Sequence, residues 1–367
     1  MLGGERTTMS TQKADGMNYA PKGQAKAVCG PGEFRFGVIG LAHGHIYGQC
    51  NGLIEAGGEL VAVFDPDPEK VAKFRATYPT AKPARCEAEI LEDPALRLVA
   101  SAAIPRDRGP LGIRVMRHGK DYFADKPPFT TLEQLADARR AVAETDRIFA
   151  VYYAERLHVE AAVYAEQLIQ DGAIGRVVQV LGLGPHRLNA PGRPDWFWDP
   201  ACYGGILVDI GSHQIEQFLH YVGARDARVL HSAVGNYHCP DHPDFQDFGD
   251  ANLVADNGAT FYFRVDWFTP DGLGAWGDGR TIILGTDGTI ELRKYLDLAR
   301  DSEGDHVYLA DHRGEHHFAV HGKVGFPYFG RLIRDCLDRT ETAMPQAHTF
   351  RAIELALQAQ AAAEKVA

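Results

Sequence analysis

Hydrophobic and polar positions follow two textures along the chain, and the change falls near residue 154. In the first, short apolar runs alternate with stretches of helical spacing. Residues 34–39 predict a buried strand. Ile46, Cys50, Leu53 and Ile54 then recur at helical spacing until Gly57-Gly58 stops the helix. A strand at 60–64 and a helix at 69–78 follow. Strands at 98–104, 121–124 and 148–152, with helices at 111–118 and 131–145 between them, complete the series. Thr130 or Thr131 caps the last of these helices, and Glu133 lies in its first turn. Strand and helix in strict alternation imply parallel strands joined by right-handed crossovers, hence an α/β, doubly wound Rossmann domain.

Beyond residue 154 the pattern turns to α+β. Helices are expected at 158–170 and 206–221, with a strand at 177–183 between them. Strands at 251–255 and 259–268 flank Asp256-Asn257-Gly258, and strands at 281–284 and 289–292 flank Thr286-Asp287-Gly288; both are hairpin signals. Successive hairpins build a largely antiparallel, open sheet. Helices at 329–339 and 349–365 end the chain. The expected organisation is a flexible tail over 1–33, polar and rich in Gly and Lys, a dinucleotide-binding domain over 34–154, and a substrate and oligomerisation domain over 155–367. Met9 or Met17 is an alternative start.

Composition narrows the function. The chain has 367 residues, 45% hydrophobic and 24% charged, enough for two cores. A formal net charge of −11 with no basic run disfavours a nucleic-acid partner. No apolar stretch has membrane-spanning length, and the N-terminal segment lacks the apolar middle of a signal peptide. The six cysteines are scattered without a C-x-x-C pair, so reduced thiols and a cytoplasmic location are expected. The histidines at 312, 316, 317 and 321, and His238, Cys239 and His242, lack a trusted metal-site spacing, so no metal is expected.

The candidate chemistry begins at the first strand-to-helix turn, Gly40-Leu41-Ala42-His43-Gly44-His45. A glycine there lets the chain turn tightly and present free N–H groups to a pyrophosphate. Of the G-x-G-x-x-G fingerprint the chain keeps Gly40, with Ala42 and His45 in the other two places. Asp65, at the end of the second strand, can bind the adenosine ribose hydroxyls and would repel a 2′-phosphate, favouring NAD over NADP. Ile46, Ile104 and Pro105 join Gly40, Ala42, His43, His45, Asp65 and Lys126 as candidate cofactor contacts. Lys126, in Asp125-Lys126-Pro127, stands at the carboxyl end of a central strand and faces the crevice. Asp209 and His213 are four apart and share a face if the helix runs through them. His213 can take a hydroxyl proton, and Asp209 can orient its ring or bind the adjacent hydroxyl. Arg156, His186, Trp196 and Trp198 are candidate substrate contacts, with core packing the alternative for the tryptophans.

Taken together these segments resemble the Gfo/Idh/MocA oxidoreductases in order, from Phe34 to the C-terminus. The family's Glu-Lys-Pro motif matches at Lys126, with Asp125 in place of the Glu. Its Gly-Gly-x-x-x-Asp-x-x-x-His motif matches at Gly204-Gly205, Asp209 and His213, and Gly172-Ala173-Ile174-Gly175-Arg176-Val177 resembles its turn into the second domain. The Asn and His of the family's Pro-Asn-x-x-His stretch are absent from Pro105-Arg106-Asp107-Arg108-Gly109; Arg106 either replaces a contact or is a solvated loop residue. The resemblance implies a catalytic trio of Lys126, Asp209 and His213, and hydride transfer between a nicotinamide and a secondary alcohol or ketone of a sugar, polyol or related ring. It also implies a homodimer or homotetramer. Two other readings come with it: an NAD-dependent glycoside hydrolase acting by transient oxidation, and a non-catalytic dinucleotide sensor.

Overall fold

The computed structural model of the protein describes residues 15–24 and 26–367. Its first sheet is built from β1 (Arg35–Leu41), β2 (Glu59–Phe64), β3 (Lys82–Pro83), β4 (Leu98–Ala102), β5 (Asp121–Asp125) and β6 (Phe149–Tyr152). The helices between them are α1 (His45–Glu55), α2 (Pro68–Thr77), α3 (Glu87–Leu91), α4 (Pro105–Arg117) and α5 (Leu132–Thr145). The strand order is β3-β2-β1-β4-β5-β6 and every pair is parallel. Connections therefore reverse direction between β1 and β4, and a crevice opens beyond the carboxyl ends of those strands. All of β4 and β5 is buried, as strands covered by helices on both faces require. Thr131 caps α5 by accepting from the Gln134 N–H. α4 begins six residues before the expected start, because Pro105 is pre-set for a first helical position, where its missing N–H has no partner to lose.

The second sheet follows α6 (Ala154–Leu157) and α7 (Glu160–Gln170). It starts with β7 (Val177–Pro185), then passes through α8 (Pro200–Tyr203), α9 (Ile206–Asp209) and α10 (Gly211–Val222). β8 (Ala227–Gly235), β9 (Phe248–Ala255), β10 (Thr260–Asp266), β11 (Arg280–Gly285), β12 (Gly288–Arg293), β13 (His306–Asp311) and β14 (Gly314–Ala319) complete most of it. α11 (Pro327–Asp338), α12 (Gln346–Ala362) and the short β15 (Glu364–Lys365) close the chain. The order is β14-β13-β12-β11-β7-β10-β9-β8-β15, antiparallel except for β7 with β10 and β8 with β15. Both expected hairpins form, β9 with β10 and β11 with β12. Phe261, Phe263 and Val265 of β10 face inward, where Phe218 of α10 stacks on Phe261 with centroids 4.6 Å apart. Tyr262 and Arg264 lie on the open face. No helix among the described residues is long and apolar enough to cross a membrane.

Two expectations need correction. The helix expected over 206–221 is interrupted at Ile210, which separates α9 from α10. The tail expected over 1–33 is not loose where it is described: residues 15–24 form a strap across the mouth between the two sheets. Gly16 is buried against the face of Trp276, and a Cβ there would come within 2.8 Å of the indole. Tyr19 packs on Trp276 and Tyr295, with centroids 6.0 and 5.4 Å away. On the other side Asn51 donates to the Ala20 carbonyl, and the Gly23 N–H donates to Glu55. Polar composition hid this, because what holds the strap is mostly hydrogen bonding and one aromatic residue. Residues 1–14, with the alternative start at Met9, lie outside the described residues.

Candidate active site between the two sheets

The turn after β1 has the shape a dinucleotide requires. Gly40 has φ +89°, and a Cβ would stand 2.7 Å from that of Ala103, so only glycine fits. Asp65 lies just past β2 and reaches back to this turn: its buried carboxylate accepts from the Leu41 N–H at 2.6 Å and from the Asp67 N–H at 2.9 Å. Among the described residues, the N–H groups of Ala42 and Gly44 have no protein acceptor, while that of His43 donates to Ala102. Free amides at the start of an eleven-residue helix, a glycine no side chain could replace and an acid beside them fit a dinucleotide. Ile104 and Pro105 open α4 at the neighbouring strand end, and Pro105 lines the cleft. Ile46 differs from expectation: its side chain is in the core beneath the turn.

β5 delivers the next group of residues. Asp125 is fully buried; one carboxylate oxygen accepts from the Lys126 N–H at 2.8 Å and meets His45 Nδ1 at 2.9 Å. The other accepts from Arg108 at 3.0 Å and lies 3.3 Å from His43 Nδ1. Burial alone would raise the Asp125 carboxyl, but Arg108, His45 and His43 together hold it well below the usual range. For His43 burial dominates and lowers its pKa, with His45 acting in the same direction and Asp125 against it. The potential ligand atoms of His43, His45 and Asp125 lie within 4.8 Å of one another. The Arg108 guanidinium on the same carboxylate opposes a metal cation there. Arg108 also donates to the carbonyls of Ala103 and Lys126. Nothing in the local pattern singles it out, since one arginine in an expected loop looks like any other.

Lys126 crosses to the second sheet. Its Nζ donates to Asp209 Oδ1 at 2.9 Å and to the Asp209 carbonyl at 3.0 Å. The break at Ile210 makes the second bond possible. In a continuous helix the His213 N–H would take the Asp209 carbonyl; here it donates to Ile210 instead. Of the two roles read for Asp209, orienting the His213 ring is replaced by a pairing with Lys126, while binding a substrate hydroxyl stays open to it. His213 is buried, its Nδ1 has no partner among the described residues, and burial holds it neutral. Glu155 pulls its pKa upward, and Lys126, His45 and His186 push it down, so all four lie near enough to act on the ring.

Behind these imidazoles is a buried ion pair that the sequence did not suggest. Glu155 Oε2 accepts from Lys294 at 3.0 Å and from Gln214 at 2.9 Å, and its Oε1 lies 4.0 Å from His186 Nε2. His186 lines the cleft and points Nδ1 at the Gly184 carbonyl; burial, against Glu155, brings its pKa down to about 4. Trp196 also lines the cleft, with Phe197, Trp267, Arg193 and Met17, none of which the sequence picked out for a site. Trp198 stacks on His242 instead, centroids 3.9 Å apart. Arg156 turns away to pair with Glu216 in a separate cavity beside α11. Arg106, left open by the sequence, contacts Cys202 Sγ at 2.9 Å.

Residues 34–153 match the family described as an oxidoreductase family with an NAD-binding Rossmann fold, and residues 162–291 match the GFO/IDH/MocA C-terminal domain. A solved structure of a protein from Erwinia carotovora atroseptica, designated an oxidoreductase, is 53% identical with a TM-score of 0.89, covering 91% of this chain and 100% of its own. The NAD-dependent scyllo-inositol 2-dehydrogenase of Bacillus subtilis is 26% identical over 268 residues, 70% of this chain and 73% of the relative. A levoglucosan dehydrogenase solved with NADH and L-sorbose shares the fold, with 19% identity and a TM-score of 0.70 over 90% of this chain and 96% of its own.

Proposed function

The chain belongs to the Gfo/Idh/MocA family of oxidoreductases, and from that premise we propose that it is an NAD-dependent dehydrogenase acting on a secondary alcohol of a sugar, polyol or related hydroxylated compound. The observation that carries this reading is the Lys126–Asp209 contact, which joins the crevice of the parallel sheet to the second sheet at one point. A bound NAD would supply the hydride acceptor at its nicotinamide, with its pyrophosphate at the Gly40 turn and its adenosine ribose at Asp65. Lys126 stabilises negative charge developing on the substrate oxygen, and Asp209 fixes the ammonium in place. His213, kept neutral by burial, accepts the hydroxyl proton. Asp65 beside the turn favours NAD, because a 2′-phosphate would meet its carboxylate. A homodimer or homotetramer formed through the open face of the second sheet completes the reading, and Leu284 of β11 is one exposed apolar residue in that sheet.

The experiment is a screen of polyols, sugars and sugar acids with NAD and with NADP, following absorbance of the reduced cofactor. Reduced NAD should accumulate with at least one hydroxylated substrate. Release of reducing sugar from glycosides with no net NADH would favour the hydrolase instead, and dinucleotide binding with no reaction on either panel would favour a sensor.

A further inference from the structure

The cleft contains a second cation that the redox chemistry leaves unused. Arg193 has a side chain only 3% exposed, and its guanidinium lies over Phe197 and Trp267, 4.6 and 5.0 Å from the ring centroids. Nε donates to the Leu188 carbonyl at 2.6 Å and Nη2 to the Arg187 carbonyl at 3.0 Å. Among the described residues Nη1 has only the Met17 thioether at 3.4 Å, a weak acceptor. Among the described residues its one ion-pair partner is Asp15 at 3.5 Å, longer than a charge-assisted hydrogen bond. Asp15 belongs to the strap and also accepts from the Met17 N–H at 3.0 Å and from Asn189 at 3.3 Å. Arg193 is therefore a buried cation, with donor capacity to spare, facing the same cleft as Lys126 and Asp209.

The strap also decides what can enter. With Gly16 and Met17 in place the cavity beside Lys126 is about 30 Å³, room for a water and not for a sugar. A shift of this part of the strap would admit a substrate and would take Asp15 away from Arg193. A neutral polyol would leave that cation buried and unpaired, an unfavourable state. A carboxylate would replace Asp15 with a planar anion that the guanidinium can bind through two N–H groups.

We propose that the substrate is a polyhydroxylated carboxylic acid, such as an aldonate or uronate, whose carboxylate binds Arg193, and that Asp15 holds that place in the free protein. This rests on the dehydrogenase reading above. The acid is anchored at Arg193 while one of its secondary carbinols lies at Lys126. Oxidised nicotinamide, when bound, would accept the carbinol hydrogen together with the C–H electron pair while His213 takes the O–H proton, leaving a keto acid and reduced nicotinamide.

The test is calorimetric titration of the full chain, with NAD present, using aldonates and uronates each paired with the alditol of the same carbon skeleton. The wild type should bind an acid at least about tenfold more tightly than its alditol. Arg193→Gln should abolish that preference, and Asp15→Asn, which keeps the turn acceptor but removes the competing charge, should tighten acid binding several-fold. Equal affinity for acid and alditol in the wild type would overturn the proposal, as would unchanged or weakened acid binding in Asp15→Asn. If Arg193→Gln does not fold, the Asp15→Asn result decides alone. Acids that bind in this Arg193-dependent way yet never reduce NAD would remove the redox reading and leave the anchor. Alditols oxidised with no preference for the acid would do the reverse.

Discussion

The Lys126 ammonium and the Asp209 carboxylate, 83 residues apart in sequence, meet at 2.9 Å between the two sheets. Neither sheet could form this centre alone. The contact needs β5 to end at the crevice and the helix after α8 to break at Ile210, so that the Asp209 carbonyl also turns to the lysine. Residues around this pair yield specific expectations.

Gly40→Ala should destabilise the protein and weaken NAD binding together. The new Cβ would need a positive φ and would clash with Ala103, at a combined cost of roughly 1–3 kcal/mol. Thermal denaturation with and without NAD measures both effects. An unchanged midpoint would mean that the turn relaxes freely.

Asp65→Ser should shift cofactor preference. Removing the carboxylate would remove the proposed ribose contact and the repulsion of a 2′-phosphate, so the NAD:NADP affinity ratio should fall by roughly tenfold. Direct titration of each dinucleotide gives that ratio. A ratio that stays put would take Asp65 out of cofactor selection.

Arg108→Met should cost about 3–5 kcal/mol, because it leaves the buried Asp125 carboxylate without its guanidinium partner. The pH dependence has a definite sign. Asp125 is held below its unfolded value, so its contribution is present above that value, about pH 4, and is lost as pH falls toward the folded value. Denaturant titrations in mild acid should show wild-type stability declining with falling pH and a flatter or reversed slope in the variant. Parallel slopes would contradict the pairing.

Glu155→Gln should move the pH profile of turnover. The Glu155 charge raises the proton affinity of both His186 and His213, so its removal lowers both. The acid limb of kcat/KM against pH should shift to lower pH, and a shift to higher pH would show that Glu155 does not act on these rings. The variant also leaves Lys294 without its carboxylate, so stability should fall at the same time.

The alternation of apolar runs and amphipathic stretches made the parallel sheet legible, because strands buried on both faces leave little freedom in composition. The two hairpins were legible for the same reason, each having a turn that few residues can make. β8 and the β13–β14 hairpin were missed: β8 has four residues in a row open to solvent to some degree, and β14 is half polar and exposed, so neither carries a continuous apolar signal. Lys126 could be found from its strand end, but its partner could not, since helical spacing linked Asp209 to His213 and said nothing of the break at Ile210. Arg193, Arg108 and Glu155 were not legible as site residues. Each owes its place to a partner far along the chain, Asp15, Asp125 and Lys294 respectively, and no local pattern announces such a pairing. The strap was misread because its few anchoring residues are set in a segment of tail-like composition.

The central claim is that the Lys126 ammonium acts on the reacting oxygen. Single-turnover formation of reduced nicotinamide in wild type and in Lys126→Met, with NAD affinity measured separately, tests it most directly. The rate should fall by at least about a hundredfold while NAD affinity changes by less than about threefold. Hydride transfer at the wild-type rate in the variant would contradict the account.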